Sequence, residues 1–165
     1  MIRHRLLFVC LGNICRSPMA EGAFRRAALE EGVLDRFEID SAGLGEWHVG
    51  QAPDARAQHA AARRGIDISG QSARQVTGED FARFDLLLAM DGSNYEDLVR
   101  LAPRSERHKI RRFLDFAPHA GTKDVPDPFF GEAEGFDRAL DLIQEAAQGL
   151  LAALLSEEAA AARRG

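Results

Sequence analysis

Apolar residues along the chain fall into runs and spacings that alternate between strand and helix. Leu6-Leu7-Phe8-Val9 is an unbroken apolar run and predicts a buried strand, and Ala20, Ala23, Phe24 and Ala27 then follow at helical spacing. Gly32 stops that pattern. Arg36 to Gly43 alternates polar and apolar like a half-buried second strand, and Gly43 to Pro53 reads as a loop containing Trp47. Pro53 opens a helix with Ala57, Ala60 and Ala61 on one side and Gly65 at its end, followed by a mostly polar connection from Ile66 to Thr77. Phe84 to Met90 is nearly continuous in apolar residues, as a strand covered on both faces would be. Ser93 with Glu96 suggests a capping box for a short helix through Leu101, stopped by Pro103, and Lys109 to Leu114 is the candidate fourth strand. From Phe136, the positions Leu140, Ile143, Ala147, Leu150, Leu151 and Leu154 mark a long amphipathic helix. Ala159 to Gly165 has no core-facing pattern. Residues 1–156 are therefore expected to form one domain and residues 157–165 a frayed tail.

Strands that alternate with helices argue for an α/β fold, doubly wound, with a parallel sheet, right-handed crossovers and helices on both faces. In such sheets the site lies beyond the carboxyl ends of the strands, where Cys10, Ser41 and Asp91 fall.

Composition narrows the partners. The 165 residues are 45% apolar and 28% charged, with 21 basic against 26 acidic side chains and a net charge of −5, so nucleic acid is not an expected partner. The first apolar run is broken at once by Gly12 and Asn13, too short for a signal peptide or a membrane span, and a cytoplasmic protein with no membrane partner is expected. Cys10 and Cys15 cannot staple a fold, and His4, His48, His59, His108 and His119 are scattered without zinc-site spacing. Neither a metal nor a cofactor is expected.

The chemistry concentrates in Cys10-Leu11-Gly12-Asn13-Ile14-Cys15-Arg16-Ser17-Pro18. Ser17 is a good N-cap and Pro18 suits a first helical position, so the stretch reads as strand, tight loop and helix start. Such a loop converges backbone N–H groups and the positive end of a helix dipole on one point, where an anion is held. Arg16 adds a fork able to bond two oxygens. A cysteine at the strand end faces all three features, which favour a nucleophilic thiolate. A phosphorus bound in the loop would sit over the sulfur. The plainer alternative, a buried cysteine near a chance arginine, fits a bare Cys-x5-Arg better than it fits this strand-to-helix context.

The run from Val9 to Pro18 resembles the signature of the low-molecular-weight protein tyrosine phosphatases, and the similarity extends to the C-terminal helix. It implies four parallel strands in the order 2-1-3-4. It also implies hydrolysis of phosphotyrosine and aryl phosphates through a phosphocysteine intermediate, with Cys10 as nucleophile and Leu11 to Ser17 as the phosphate-binding loop. Expelling an oxyanion calls for a general acid. In Val125-Pro126-Asp127-Pro128-Phe129-Phe130, Asp127 matches the family's aspartate followed by proline and an aromatic; read alone, the stretch is equally a solvated turn. Asp124 is the fallback.

The supporting residues have two readings each. The Ser17 hydroxyl, beside the sulfur, is the group the family uses to stabilise the departing thiolate. Asn13 tolerates a left-handed backbone and can fix the loop, against Ser41 at the second strand's end, although Ser41 is also readable as a plain strand-end hydroxyl. Asp91, Ser93 and Asn94 match a family motif, and capping the next helix explains them equally well. Trp47, Phe129 and Phe130 supply flat apolar walls for an aryl phosphate, with core packing the alternative for Phe130. Part of the family carries tyrosines where Phe129 and Phe130 stand, so regulation by phosphorylation there is not carried over. Cys15 is either the partner of the reversible disulfide known in the family or a small buried loop residue.

Three rivals frame the expectation. Relatives acting on phosphoarginine carry threonine where Ile14 stands, and related arsenate reductases use further cysteines, which this chain lacks after Cys15. An idle phosphoprotein binder would not need Cys10, Arg16 and Asp127 together. The implied partner is a phosphotyrosine-containing protein and, for a bacterial source, a tyrosine kinase of polysaccharide export.

Overall fold

A computed structural model describes residues 1–165. Its centre is a four-stranded parallel sheet in which β1 (His4–Cys10) lies between β2 (Phe37–Gly43) and β3 (Leu86–Ala89), with β4 (Ile110–Arg112) outside β3. The order β2-β1-β3-β4 is the expected one. Register sets Cys10 opposite Gly43 and Val9 opposite Ala89, so the ends of β1, β2 and β3 are level where the first loop begins.

The unbroken apolar run in β1 has a simple cause. Alternate residues point to opposite faces, and both faces are covered. Leu6 and Phe8 pack with α1 (Arg16–Glu30), α2 (Ala55–Ala62) and α5 (Ala133–Arg164). Leu7 and Val9 pack on the other side with α3 (Gly78–Arg83) and α4 (Gly92–Leu101). Phe8 meets Phe24 of α1 at 6.0 Å and Phe113 edge-on at 5.2 Å between ring centroids, so the central strand anchors the larger cluster.

Several boundaries differ from the sequence-based expectation. The fourth strand ends at Arg112, because Phe113–Phe116 turns as a 3₁₀ segment that buries Phe113 and Leu114 against α5. Helix α3 is not anticipated by the periodicity; it starts from a capping box of Thr77 and Asp80. Helix α4 is not capped by Ser93 and Glu96. Its N-cap is Asp91, whose carboxylate accepts from the Asn94 N–H at 2.7 Å. Helix α2 likewise starts from Asp54 rather than at Pro53, with the Arg56 N–H at 2.8 Å from the carboxylate. Where a frayed tail is expected over residues 157–165, α5 continues to Arg164. Glu158 accepts from Arg36 at 3.0 Å, stands 3.2 Å from His4 Nε2 and 3.6 Å from Arg3, and so ties these turns to the N-terminal segment.

Candidate active site

Beyond the end of β1 the chain wraps tightly and enters α1 at Arg16, with Cys15 in the N-cap position and no side-chain cap. Ser17 is therefore not the N-cap, as its sequence position suggested, and Pro18 is the third helical residue rather than the first. The serine hydroxyl is engaged elsewhere. It lies 3.0 Å from Cys10 Sγ and accepts from Asn13 Nδ2 at 2.8 Å. That second bond fixes the polarity. Asn13 Oδ1 accepts from the Arg74 backbone N–H at 3.0 Å, which orients the amide so that its NH₂ faces Ser17 and Ser41, the latter at 3.0 Å. With its oxygen already accepting, Ser17 has its hydrogen free for the sulfur. The Asn13 N–H also points at Cys10 Sγ, at 3.3 Å.

Asn13 adopts φ 58°, the only non-glycine residue with positive φ. Asparagine tolerates this left-handed conformation better than most residues. Behind it Ser41 donates to Glu21 at 2.9 Å, and Glu21 in turn holds Arg25. Burial raises the Glu21 carboxyl above its ordinary range against the opposing pull of Ser41 and Arg25. The pairing of Asn13 with Ser41 is thus observed, and Ser41 is more than a strand-end hydroxyl.

Arg16 is 3% exposed. Its Nη1 donates to Asp91 Oδ2 at 2.7 Å and to the Val125 carbonyl at 2.9 Å, while Nη2 stands 3.5 Å from Asp127 Oδ2. Burial opposes the charge, but Cys10, Asp91 and Asp127 outweigh it and hold the guanidinium protonated more firmly than usual. Asp91 serves both readings at once, capping α4 with one oxygen and gripping Arg16 with the other. Val125 is held a second time by its N–H on the Met90 carbonyl at 2.8 Å, so the segment leading to Asp127 is pinned to the end of β3.

Of these groups, Cys10, Arg16 and Asp127 line a cavity of about 230 Å³. Cys10, Gly12, Ile14, Cys15 and Arg16 come from the first loop, and Asp127 borders the opening with its side chain 41% exposed. Asp127 Oδ1 accepts from the Phe129 N–H at 3.1 Å. The fallback Asp124 does not line the cavity; it accepts from the Gly92 N–H at 2.9 Å. Trp47, Phe129 and Phe130 do line it, and Phe130 is 94% exposed, which removes the core-packing alternative. Phe130 instead stands edge-on to Phe129, 4.8 Å between centroids. The indole of Trp47 lies against Gly45, where a Cβ would come within 1.8 Å of the ring. His48 also faces the cavity, held by Gln51 at 2.9 Å, and was missed in the sequence, where its only signal is adjacency to Trp47. Ser93 and Asn94 are absent from the lining. Cys15 is buried and unbridged, and its thiol is pushed up by burial first and by Asp54 and Cys10 next.

The arrangement sets the Cys10 sulfur beside the Ser17 hydroxyl and the Asn13 N–H, with Arg16, the Asp127 carboxylate and the apolar side chains Trp47, Phe129 and Phe130 lining the same cavity. The chain is similar to known proteins over nearly its whole length. The sequence model of the low molecular weight phosphotyrosine protein phosphatases matches residues 5–160. A low molecular weight protein-tyrosine-phosphatase of Bacillus subtilis is 40% identical over 153 residues, which is 93% of this chain and 97% of that protein. The crystal structure of a protein tyrosine phosphatase from Entamoeba histolytica, with Hepes in its active site, superposes with a TM-score of 0.91 at 36% identity, covering 94% of this chain and 99% of that one. A Drosophila arginine phosphatase superposes at 0.84 with 31% identity, covering 92% and 98%. The family match over residues 5–160 and a relative 40% identical over 93% of the chain mean that the chain belongs to the low molecular weight phosphotyrosine protein phosphatase family.

Proposed function

We propose that this chain hydrolyses phosphotyrosine in proteins through a phosphocysteine intermediate, and the observation that carries the reading is the convergence of Ser17, Asn13 and Arg16 on the Cys10 sulfur and its mouth. In the first step Cys10 Sγ attacks phosphorus and the bond to the phenolic oxygen breaks. Asp127 gives that oxygen its proton while the loop amides and Arg16 hold the phosphoryl oxygens. In the second step Asp127, now a carboxylate, takes a proton from water as the water attacks the phosphocysteine. The thiolate leaves with the Ser17 hydroxyl directed at it. The flat walls Trp47, Phe129 and Phe130 suit an aryl ring, and the apolar Ile14 supports an aryl phosphate over phosphoarginine. A reduced thiol is required, which suits the cytoplasm, and a tyrosine kinase is the counterpart that would make the substrate. No helix is long and apolar enough to cross a membrane.

Leaving-group dependence tests the acid. Asp127→Ala is expected to lower kcat on phenyl phosphate by roughly 10²–10⁴-fold, with a much smaller loss on an aryl phosphate whose leaving group is a weak base. Equal losses on both substrates would move the role away from Asp127.

The wall is tested separately. Gly45→Ala is expected to raise KM for aryl phosphates several-fold and to shift the emission of Trp47, the single tryptophan, while inhibition by inorganic phosphate stays unchanged. An unshifted emission spectrum would mean the ring does not depend on Gly45 for its seat.

A further inference from the structure

We propose that Arg56 is a positioning residue that fixes the segment carrying Asp127, by strapping the far end of that segment to α2 and, through Asp54, to the phosphate-binding loop. This rests on the reading of Asp127 as the general acid. The segment from Pro126 to Gly131 has no strand or helix of its own. Its near end is pinned by Val125, on Met90 and Arg16. Its internal bonds are short-range: the Phe129 N–H on Asp127 and the Gly131 N–H on the Pro128 carbonyl at 3.0 Å. Pro128 is buried and the chain runs on into α5 at Ala133, but neither of these bonds ties the backbone between Asp127 and Gly131 to the body of the protein.

Arg56 supplies that tie. Its Nη2 donates to the Phe129 carbonyl at 2.9 Å and its Nη1 reaches the Gly131 carbonyl at 3.4 Å. The guanidinium lies over the ring of Phe136 in α5, 4.6 Å from its centroid, and over that of Phe129 at 5.7 Å, so two aromatic faces meet the cation beside the segment it holds. Nε and Nη2 are oriented by the Asp54 carboxylate at 3.1 and 3.0 Å. That carboxylate is kept below its ordinary range chiefly by the bond from Arg56. The Asp54 N–H donates to the Ile14 carbonyl at 2.8 Å, inside the phosphate-binding loop. One planar fork thus joins three elements, and a lysine cannot copy it, since a point charge has no geometry to span two carbonyls and a carboxylate.

A strap of this kind acts through Asp127, so its loss has to look like a weakened acid. Arg56→Ala is expected to lower kcat on phenyl phosphate by roughly 10–100-fold, the scale of a misplacement near 1 Å. The loss should shrink on an aryl phosphate with a weakly basic leaving group, and the inhibition constant of inorganic phosphate should not change. In the Asp127→Ala background Arg56→Ala should cost little more. Arg56→Lys keeps the stem and the charge, guards against a folding defect in the alanine variant, and should show the same leaving-group pattern. Equal losses on all leaving groups, a full additional loss in the Asp127→Ala background, or a weakened phosphate affinity would each overturn the strap. If Asp127→Ala itself shows no leaving-group dependence, the acid assignment falls and the strap with it. If Asp127→Ala shows the dependence and the Arg56 variants do not, only the strap falls.

Discussion

Cys10→Ser is expected to lose aryl-phosphate turnover on the order of 10⁶-fold, the scale seen when a nucleophile is deleted, and still to bind inorganic phosphate. The hydroxyl is a far weaker nucleophile at neutral pH than a thiolate. What binds the anion does not include the sulfur: the backbone donors of the loop, the start of α1 and Arg16 all remain, with Arg16 still anchored by Asp91 and Val125. Steady-state assays on an aryl phosphate and calorimetric titration with phosphate read the two halves of the expectation. Turnover within a hundredfold of the parent chain would remove Cys10 as nucleophile.

Arg16→Lys is expected to fail differently, losing roughly 10³–10⁵ in kcat, the range for an arginine that stabilises a phosphoryl transition state, together with phosphate affinity. One terminal nitrogen of Arg16 is spent on Asp91 and the Val125 carbonyl, and that anchoring aims the other at the cavity mouth beside Asp127. An ammonium can do one of these tasks. At 3% exposure a lysine there would also be stripped of water without the fork that replaces it. The two variants are thus distinguishable, since the first binds without reacting and the second does neither well. Near-normal activity in Arg16→Lys would contradict the forked geometry.

The parts of the fold and site that could be read from the chain share one property: their signal is local. The run Leu6 to Val9, the helical spacing after it and the residues between Cys10 and Ser17 carry strand, helix and anion cradle in one short stretch. Asp127, the proposed acid, rests on its match to a family motif, because Pro-Asp-Pro-Phe by itself is also an ordinary turn. Where bonds reach across the chain, local reasoning failed. Ser17 has the chemistry of an N-cap, yet the sulfur and Asn13 outbid the helix end for its hydroxyl. Ser93 lost the cap to Asp91, which is already held in place by Arg16. The last turns of α5 have no apolar stripe, and their tie is Glu158 to Arg36, His4 and Arg3 at the other end of the sequence. Helix α3 has six residues, too few for a periodicity to show. Arg56 left no trace because the carbonyls it bonds carry no residue identity and the rings it lies over, Phe129 and Phe136, are distant in the sequence.

The placement of β1 at the middle of the sheet divides the site into two tiers of local stability. Leu6, Leu7, Phe8 and Val9 are wholly buried between β2 and β3, so the root of the thiol loop opens only when the sheet itself does. The stretch that carries Asp127 belongs to the other tier: Pro126, Asp127 and Phe130 are exposed, only Pro128 is buried and Phe129 half-buried, and a few bonds hold it at its two ends. Under mild denaturant or gentle warming the upper tier is expected to open first. The expected result is a regime in which phosphate is still captured and weakly basic leaving groups are still expelled, while turnover of tyrosine phosphate, which the proposed acid Asp127 would assist, has already slowed.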